Sequence, residues 1–378
     1  MLVKSAALLL LAAPLHSTGR AAETGARSEF ALGTVCTVQL YQQGPAKLYN
    51  AVFSRIREIE YLMSAAITGT DVDMINKNAG IRPVQVRPEV ITVLERAVYY
   101  AELSGGAFDP TVGPLVTSWG IGTENPVLPD PESLNRALSL VNWRDLVIDR
   151  QRSQVFLRKP GMMLDLGGIA KGYAADEAVR ILENAGAGGA IIDLGGNIAA
   201  YGEKREKRGK GEKEETAGQS APWRIGVQDP LDTRGAYIGV LEVRNKSVVT
   251  SGVYERYADI NGRRYHHILS TESGYPVDNG LLSVTVISGF SIDADALSTA
   301  AFALGYEKGA AMLDSLADTE GVFIFADRTV RLTAGAKGLF TLRRLSYRLI
   351  GEFSKALRSR PSVSAPVLSQ TPESCCPV

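Results

Sequence analysis

Twice in this chain an apolar run ends in an acid, a leucine and two glycines: Leu164-Asp165-Leu166-Gly167-Gly168 and Ile192-Asp193-Leu194-Gly195-Gly196. Such a run reads as a strand, and the paired glycines let the backbone turn sharply and come close to a ligand or another segment. After the first pair, Ile169-Ala170-Lys171-Gly172-Tyr173 opens a stretch of helical spacing over residues 171–185, stopped by Gly186. A helix N-terminus favours an anion, and Lys171 adds a cation there. This is not a Walker loop, whose lysine precedes Ser or Thr at a different glycine spacing. The echo between the two segments is either a structural duplication or a common way to leave a strand.

Periodicity places the other elements. Residues 32–41 alternate as a strand, and residues 48–63 and 87–103 carry apolar side chains at helical spacing, the second ending at Gly105-Gly106. Residues 126–131 read as a loop and 133–140 as a short helix. Residues 155–166, 189–201, 223–227, 237–243 and 282–288 read as strands. A helix follows over about 293–303, then a hairpin from 321–326 and 329–332. Strands and helices mix without regular βαβ alternation, which makes the fold class α+β.

Charge narrows the function. Lys+Arg and Asp+Glu both number 41 in 378 residues, so no basic excess points to nucleic acid. At the N-terminus, Lys4 precedes an apolar run over 6–15 and Gly19-Arg20-Ala21 follows. The run is too short to span a bilayer comfortably, so residues 1–21 read as a secretory signal and the location as periplasmic or otherwise extracytoplasmic. Residues 203–219, mostly Lys, Arg, Glu and Gly, read as a mobile charged insertion in a domain over 28–335. Residues 341–378 read as a C-terminal extension with a disordered tail. Within it, Leu342, Leu345, Leu349, Phe353 and Leu357 fall on one face of a predicted helix over 342–357. Arg343, Arg344 and Arg348 beside them suit peripheral contact with an anionic membrane, and packing onto the core is the other reading. Cys36 reads as a core residue, and Cys375 and Cys376 lie far in sequence from any histidine.

Two further segments carry candidate chemistry. In Asp293-Ala294-Asp295-Ala296-Leu297-Ser298-Thr299, Asp295 and Thr299 share a helix face. Their oxygens suit Mg²⁺, while Asp293 or Asp295 could equally cap the helix. In Tyr265-His266-His267-Ile268-Leu269-Ser270, adjacent histidines at a strand end point to opposite faces, so one at most serves a given site.

In chain order these segments resemble the ApbE family of flavin transferases. The landmarks are Leu32-Gly33-Thr34, the run from Gly106 through Leu115, Asp165 to Asp176, Asp193 to Asn197, Trp223 to Val227, Thr250-Ser251-Gly252 with Tyr254, His267 to Pro276, and Ala294 to Thr299. The resemblance implies a bilobed α+β fold holding FAD between its lobes. It implies FAD contacts at Leu32, Ala107, Phe108, Asp109, Asp165, Lys171 and Leu269. It implies Mg²⁺ ligation by Asp295, Thr299 and the Gly168 carbonyl, and proton transfer by His267. The implied reaction moves FMN from FAD to a Thr or Ser hydroxyl of acceptor flavoprotein subunits, such as those of membrane redox complexes, releasing AMP. An FAD pyrophosphatase or a non-catalytic flavin-binding protein are the alternatives. Two positions depart from the family: Ala65-Ala66 replaces an aromatic flavin-clamping position, and Ser270 replaces an acid after the histidine.

Overall fold

The computed structural model describes residues 25–41, 46–203 and 221–351. The signal-like N-terminus, nearly all of the charged insertion, Cys375 and Cys376 lie outside the described residues. In chain order the elements are β1 (Ala26–Ala31), β2 (Thr34–Leu40), α1 (Ala46–Met63), α2 (Asp71–Lys77), β3 (Val84–Gln85), α3 (Pro88–Leu103), α4 (Gly113–Trp119) and α5 (Pro131–Leu138). Next come β4 (Leu146–Asp149), β5 (Gln154–Leu157), α6 (Ala170–Asn184), β6 (Gly189–Leu194), β7 (Asn197–Gly202), β8 (Trp223–Gln228), β9 (Tyr237–Val243) and β10 (Lys246–Gly252). The chain continues through β11 (Tyr257–Ile260), β12 (Arg263–His266), β13 (Leu281–Ser288), α7 (Ser291–Asp314), β14 (Glu320–Phe325), β15 (Thr329–Leu332), β16 (Phe340–Leu342) and β17 (Arg348–Leu349).

Among the described residues a nine-stranded mixed sheet runs in the order β1-β2-β6-β7-β10-β13-β14-β15-β17. Its two faces bury different partners. Val249, Val284, Val286 and Phe323 point into a core shared with the helices, among them Ile56 of α1, Ala174 of α6 and Leu297 of α7. Alternate residues Val248, Ile287, Val322 and Ile324 meet Ile225, Ile238 and Leu241 of the small β16-β9-β8 sheet. This is the period-2 consequence of a sheet covered on both faces, and it explains why β13 is almost wholly apolar or small. A satellite cluster joins Leu115 and Trp119 of α4, Leu134 of α5 and Leu269. The α+β class stands.

Several boundaries differ from the sequence reading, each for a visible reason. Leu32 (φ 53°) and Gly33 (φ 67°) form a tight turn, so the 32–41 strand begins at Thr34 and an unforeseen β1 precedes it. The 189–201 strand is two strands, folded back at Gly195 and Gly196 with φ of 70° and 93°. The first acid-glycine segment instead leads into α6, so the echo is not a structural duplication. Regular strand in 155–166 stops at Leu157. The 293–303 helix extends from Ser291 to Asp314 across a break at Gly305 (φ 74°). The predicted helix over 342–357 is overturned for its described residues. Leu342 ends β16, paired with β9, and Leu349 lies in β17, paired with β15, because the sheet edges take up the backbone hydrogen bonds a helix would need.

Neither Asp293 nor Asp295 caps α7. That task falls to Asp176 of α6, whose carboxylate accepts from Ser291 N (2.7 Å) and Ile292 N (2.9 Å). Asp293 forms a buried fork with Arg96 of α3, 2.6 Å at each contact. Cys36 is fully buried as expected, and its thiol donates to the Ala31 carbonyl at 3.3 Å.

Candidate functional site

The site forms where α6 meets α7 beside the ends of the central strands. Gly172, in the first turn of α6, packs against the first residues of α7 so closely that a Cβ would lie 2.5 Å from Ile292 Cα. That approach lets Gly172 N–H donate to Asp295 Oδ2 at 2.9 Å. The i−4 partner of this N–H would be the Gly168 carbonyl, which therefore keeps its acceptor capacity. Thr299, one turn beyond Asp295, reaches the same point: a Cβ on Gly168 would stand 3.4 Å from Thr299 Oγ1. Ser251 Oγ bonds both Ser298 Oγ (2.8 Å) and Thr299 Oγ1 (3.2 Å), fixing these hydroxyls to β10. Gly168, Asp295 and Thr299 are thus neighbours where α6 meets α7.

Two cavities adjoin there, of 810 and 830 Å³ with their open mouths included. The first is walled by Ala107, Phe108, Val112, Ile121, Ile268 and Leu269, with Asp109, Asp165 and Gly168 at its polar side. Asp109 is buried and satisfied internally, accepting from Thr111 N (2.8 Å), Thr111 Oγ1 (2.7 Å) and Trp143 N (3.0 Å). Burial raises its pKa despite these bonds. Asp165 Oδ1 accepts from Gly167 N at 2.8 Å, holding the glycine turn in shape. The second cavity is polar, lined by Lys171, Asn197, Arg234, Thr250, Ser251, Glu255 and Asp295. Arg256, His267 and Thr299 line both.

His267 is oriented from one side. Its backbone N–H and its Nδ1 both lie 3.1 Å from the Arg256 carbonyl oxygen. A carbonyl only accepts, so Nδ1 carries the proton and Nε2 keeps its lone pair. Burial first, then the charge of Arg256, pushes the imidazole pKa down to about 3. His266 faces away, with Nε2 2.9 Å from the Val277 carbonyl and its ring against Phe302, as the alternation at a strand end requires. Ser270 orders the following turn in place of an acid, its Oγ accepting from Glu272 N and Ser273 N at 3.2 Å each.

Of the candidate site residues singled out in sequence, ten line one cavity or both: Ala107, Phe108, Asp109, Asp165, Gly168, Leu269, Lys171, Asp295, Thr299 and His267. Leu32 does not; it packs against the core and donates its N–H to Glu60 Oε1 (2.8 Å), while Gly33 and Thr34 face the polar cavity. Ala66 is exposed and lines neither. Sequence reasoning missed Arg234, Glu255 and Arg256 at the polar rim. Asn197, noted only as a landmark, is buried there, accepting from Ser291 Oγ at 2.5 Å while its Nδ2 has no partner.

Comparison with known proteins gives one consistent answer. The family model described as "ApbE family" matches residues 32–323. A protein of Treponema pallidum (strain Nichols) named FAD:protein FMN transferase is 40% identical over 318 residues, covering 82% of this chain and 86% of its own length. A protein of the same name from Klebsiella pneumoniae (strain 342) is 36% identical, covering 84% of this chain and 95% of itself. Among solved structures, the ApbE protein of Thermotoga maritima superposes with a TM-score of 0.72 at 31% identity, over 83% of this chain and 98% of that one. With a match that begins at the β1–β2 turn and takes in both cavities, this chain belongs to the ApbE family.

Proposed function

We propose that this chain cleaves FAD at its diphosphate and places the FMN half on a Thr or Ser hydroxyl of a partner flavoprotein, releasing AMP. The observation that carries the reading is the junction: an apolar cavity suited to a flat ring meets a cation-lined cavity suited to phosphates, and His267 lines both. FAD has both kinds of group. An acceptor hydroxyl placed at Nε2 gives up its proton as its oxygen bonds the FMN-side phosphorus, and the bond from that phosphorus to AMP breaks. Diphosphate charge beside Arg256 and Lys171 offsets their effect on the imidazole, moving it back toward a useful basicity. No covalent enzyme intermediate is needed.

The corner formed by Asp295, Thr299 and the Gly168 carbonyl fits Mg²⁺, which takes few protein oxygens and completes its shell with phosphate and water. Among the described residues there is no group of three or more His, Cys, Asp or Glu that could hold a metal ion, so the proposed site rests on one carboxylate, one hydroxyl and one carbonyl. When bound, the ion would neutralise charge on the diphosphate. Asp295 also holds Gly172 N–H, so it would fix the ion's position relative to the α6 N-terminus.

The N-terminal run supports a periplasmic location, with acceptors among subunits of membrane redox complexes. Among the described residues of the C-terminal segment, membrane contact keeps in its favour the exposed Leu345, Leu349 and Ile350 beside Arg343 and Arg348. The test of the site assignment uses two variants. Asp295→Asn, which keeps an acceptor for Gly172 N–H, should raise the Mg²⁺ requirement and slow turnover, and His267→Ala should retain FAD while losing transfer. Full activity of both variants would refute the assigned roles.

A further inference from the structure

We propose that Arg256 binds the phosphate of the transferred group and is a catalytic residue of this chain. The inference rests on the transferase reading and adds to it a residue outside the metal corner and the histidine. Arg256 and His267 sit at the two ends of the β11–β12 hairpin, joined by the bonds from His267 N and Nδ1 to the Arg256 carbonyl. The guanidinium is therefore placed by the same backbone that places the base.

Its side chain stretches between two rims. A Cβ on Gly33, in the β1–β2 turn, would stand 3.7 Å from Arg256 Nη2, and one on Gly122, in the loop after α4, would stand 3.6 Å from Arg256 Cδ. Arg256 lines both cavities. Among the described residues no carboxylate lies within ion-pair distance of it, although Glu255 shares the polar cavity. By contrast Arg55, Arg96, Arg150 and Arg344 all hold carboxylates. Of the other cations lining the polar cavity, Lys171 already donates to the Gly167 carbonyl at 3.2 Å, and Arg234 lines that cavity alone. A guanidinium fork matches two phosphate oxygens at once. As the acceptor oxygen bonds phosphorus and the AMP oxygen departs, that fork stabilises charge on the non-bridging oxygens beside the base.

The experiment compares wild type with Arg256→Gln, Arg256→Lys and Arg256→Ala, none of which removes the carbonyl that holds His267. FAD affinity is measured at equilibrium and transfer in single turnover with Mg²⁺ and an acceptor domain. Arg256→Gln should weaken FAD roughly tenfold and slow transfer roughly 10²-fold at an unchanged melting temperature. Arg256→Lys should recover affinity more than rate, because it lacks the fork. Millimolar guanidinium ion should restore rate to Arg256→Ala and leave wild type unaffected. Wild-type affinity and rate in Arg256→Gln would overturn the inference, as would a loss that guanidinium does not restore and that follows a fall in melting temperature. If wild type binds FAD without transferring flavin, the transferase reading fails, and the FAD affinity of Arg256→Gln still decides whether Arg256 holds the phosphates.

Discussion

Gly172→Ala sets local propensity against packing. Ala is the better helix former by about 1 kcal/mol, so propensity alone predicts a more stable protein. The structure predicts the reverse. A Cβ at this position would collide with the Ser291 carbonyl oxygen and lie 2.5 Å from Ile292 Cα and 2.7 Å from Ile292 N. These are backbone atoms at the start of α7, held by Asp176, so no rotamer change relieves the clash. Overpacking of this kind costs about 1–3 kcal/mol, and straining the Gly172–Asp295 bond costs about 1 kcal/mol more. The net loss should be about 1–3 kcal/mol after the propensity gain. Urea unfolding followed by circular dichroism measures it, and a melting shift of about 2–4 °C per kcal/mol should accompany it. Because the clash pushes α6 from α7, the Mg²⁺ requirement for turnover should rise as well. A Gly172→Ala protein as stable as wild type would show that the α6–α7 contact does not set the geometry of the proposed Mg²⁺ corner.

Other outcomes follow from the same structure. Arg96→Leu strands the Asp293 carboxylate in a buried setting and should cost about 3–5 kcal/mol in chemical denaturation. Burial pushes the Asp176 carboxyl up to about 7, against about 4 in an unfolded chain, so the native state holds a proton that the unfolded state releases. That group makes stability fall as pH rises between about 4 and 7, and Asp176→Asn should flatten this slope in denaturant titrations across that range. His267→Ala should keep FAD affinity within a few-fold and slow transfer by roughly 10²-fold or more, read by stopped-flow on preloaded protein.

What sequence made legible was mostly local. Alternation placed Cys36 in the core, helical spacing found α1, α3 and α6, and ordered motifs assembled nearly every residue at the cavity junction. Tertiary choices were not legible. Nothing in the run 291–299 says that Asp293 answers Arg96 and Asp295 answers Gly172 while a residue on α6 caps the helix. The extension of α7 past Gly305 was hidden because that glycine adopts a conformation normally found at helix ends. Amphipathic spacing over 342–357 suggested a helix, yet open sheet edges claimed Leu342 and Leu349. Arg234 and Arg256 escaped because no spacing rule links a surface arginine to a cavity assembled from segments far apart in the chain. Arg256 stood two residues after Tyr254 in a motif already noted, which was the available signal.

The most direct measurement is a time course of wild-type protein with FAD, Mg²⁺ and an acceptor flavoprotein domain, following AMP, free FMN and flavin bound covalently to the acceptor. The account predicts one AMP released for each flavin attached, by intact-mass analysis, at a single Thr or Ser, with little free FMN while acceptor remains. Free FMN accumulating at a rate indifferent to acceptor, with no added mass on the acceptor, would contradict it and make this chain a hydrolase.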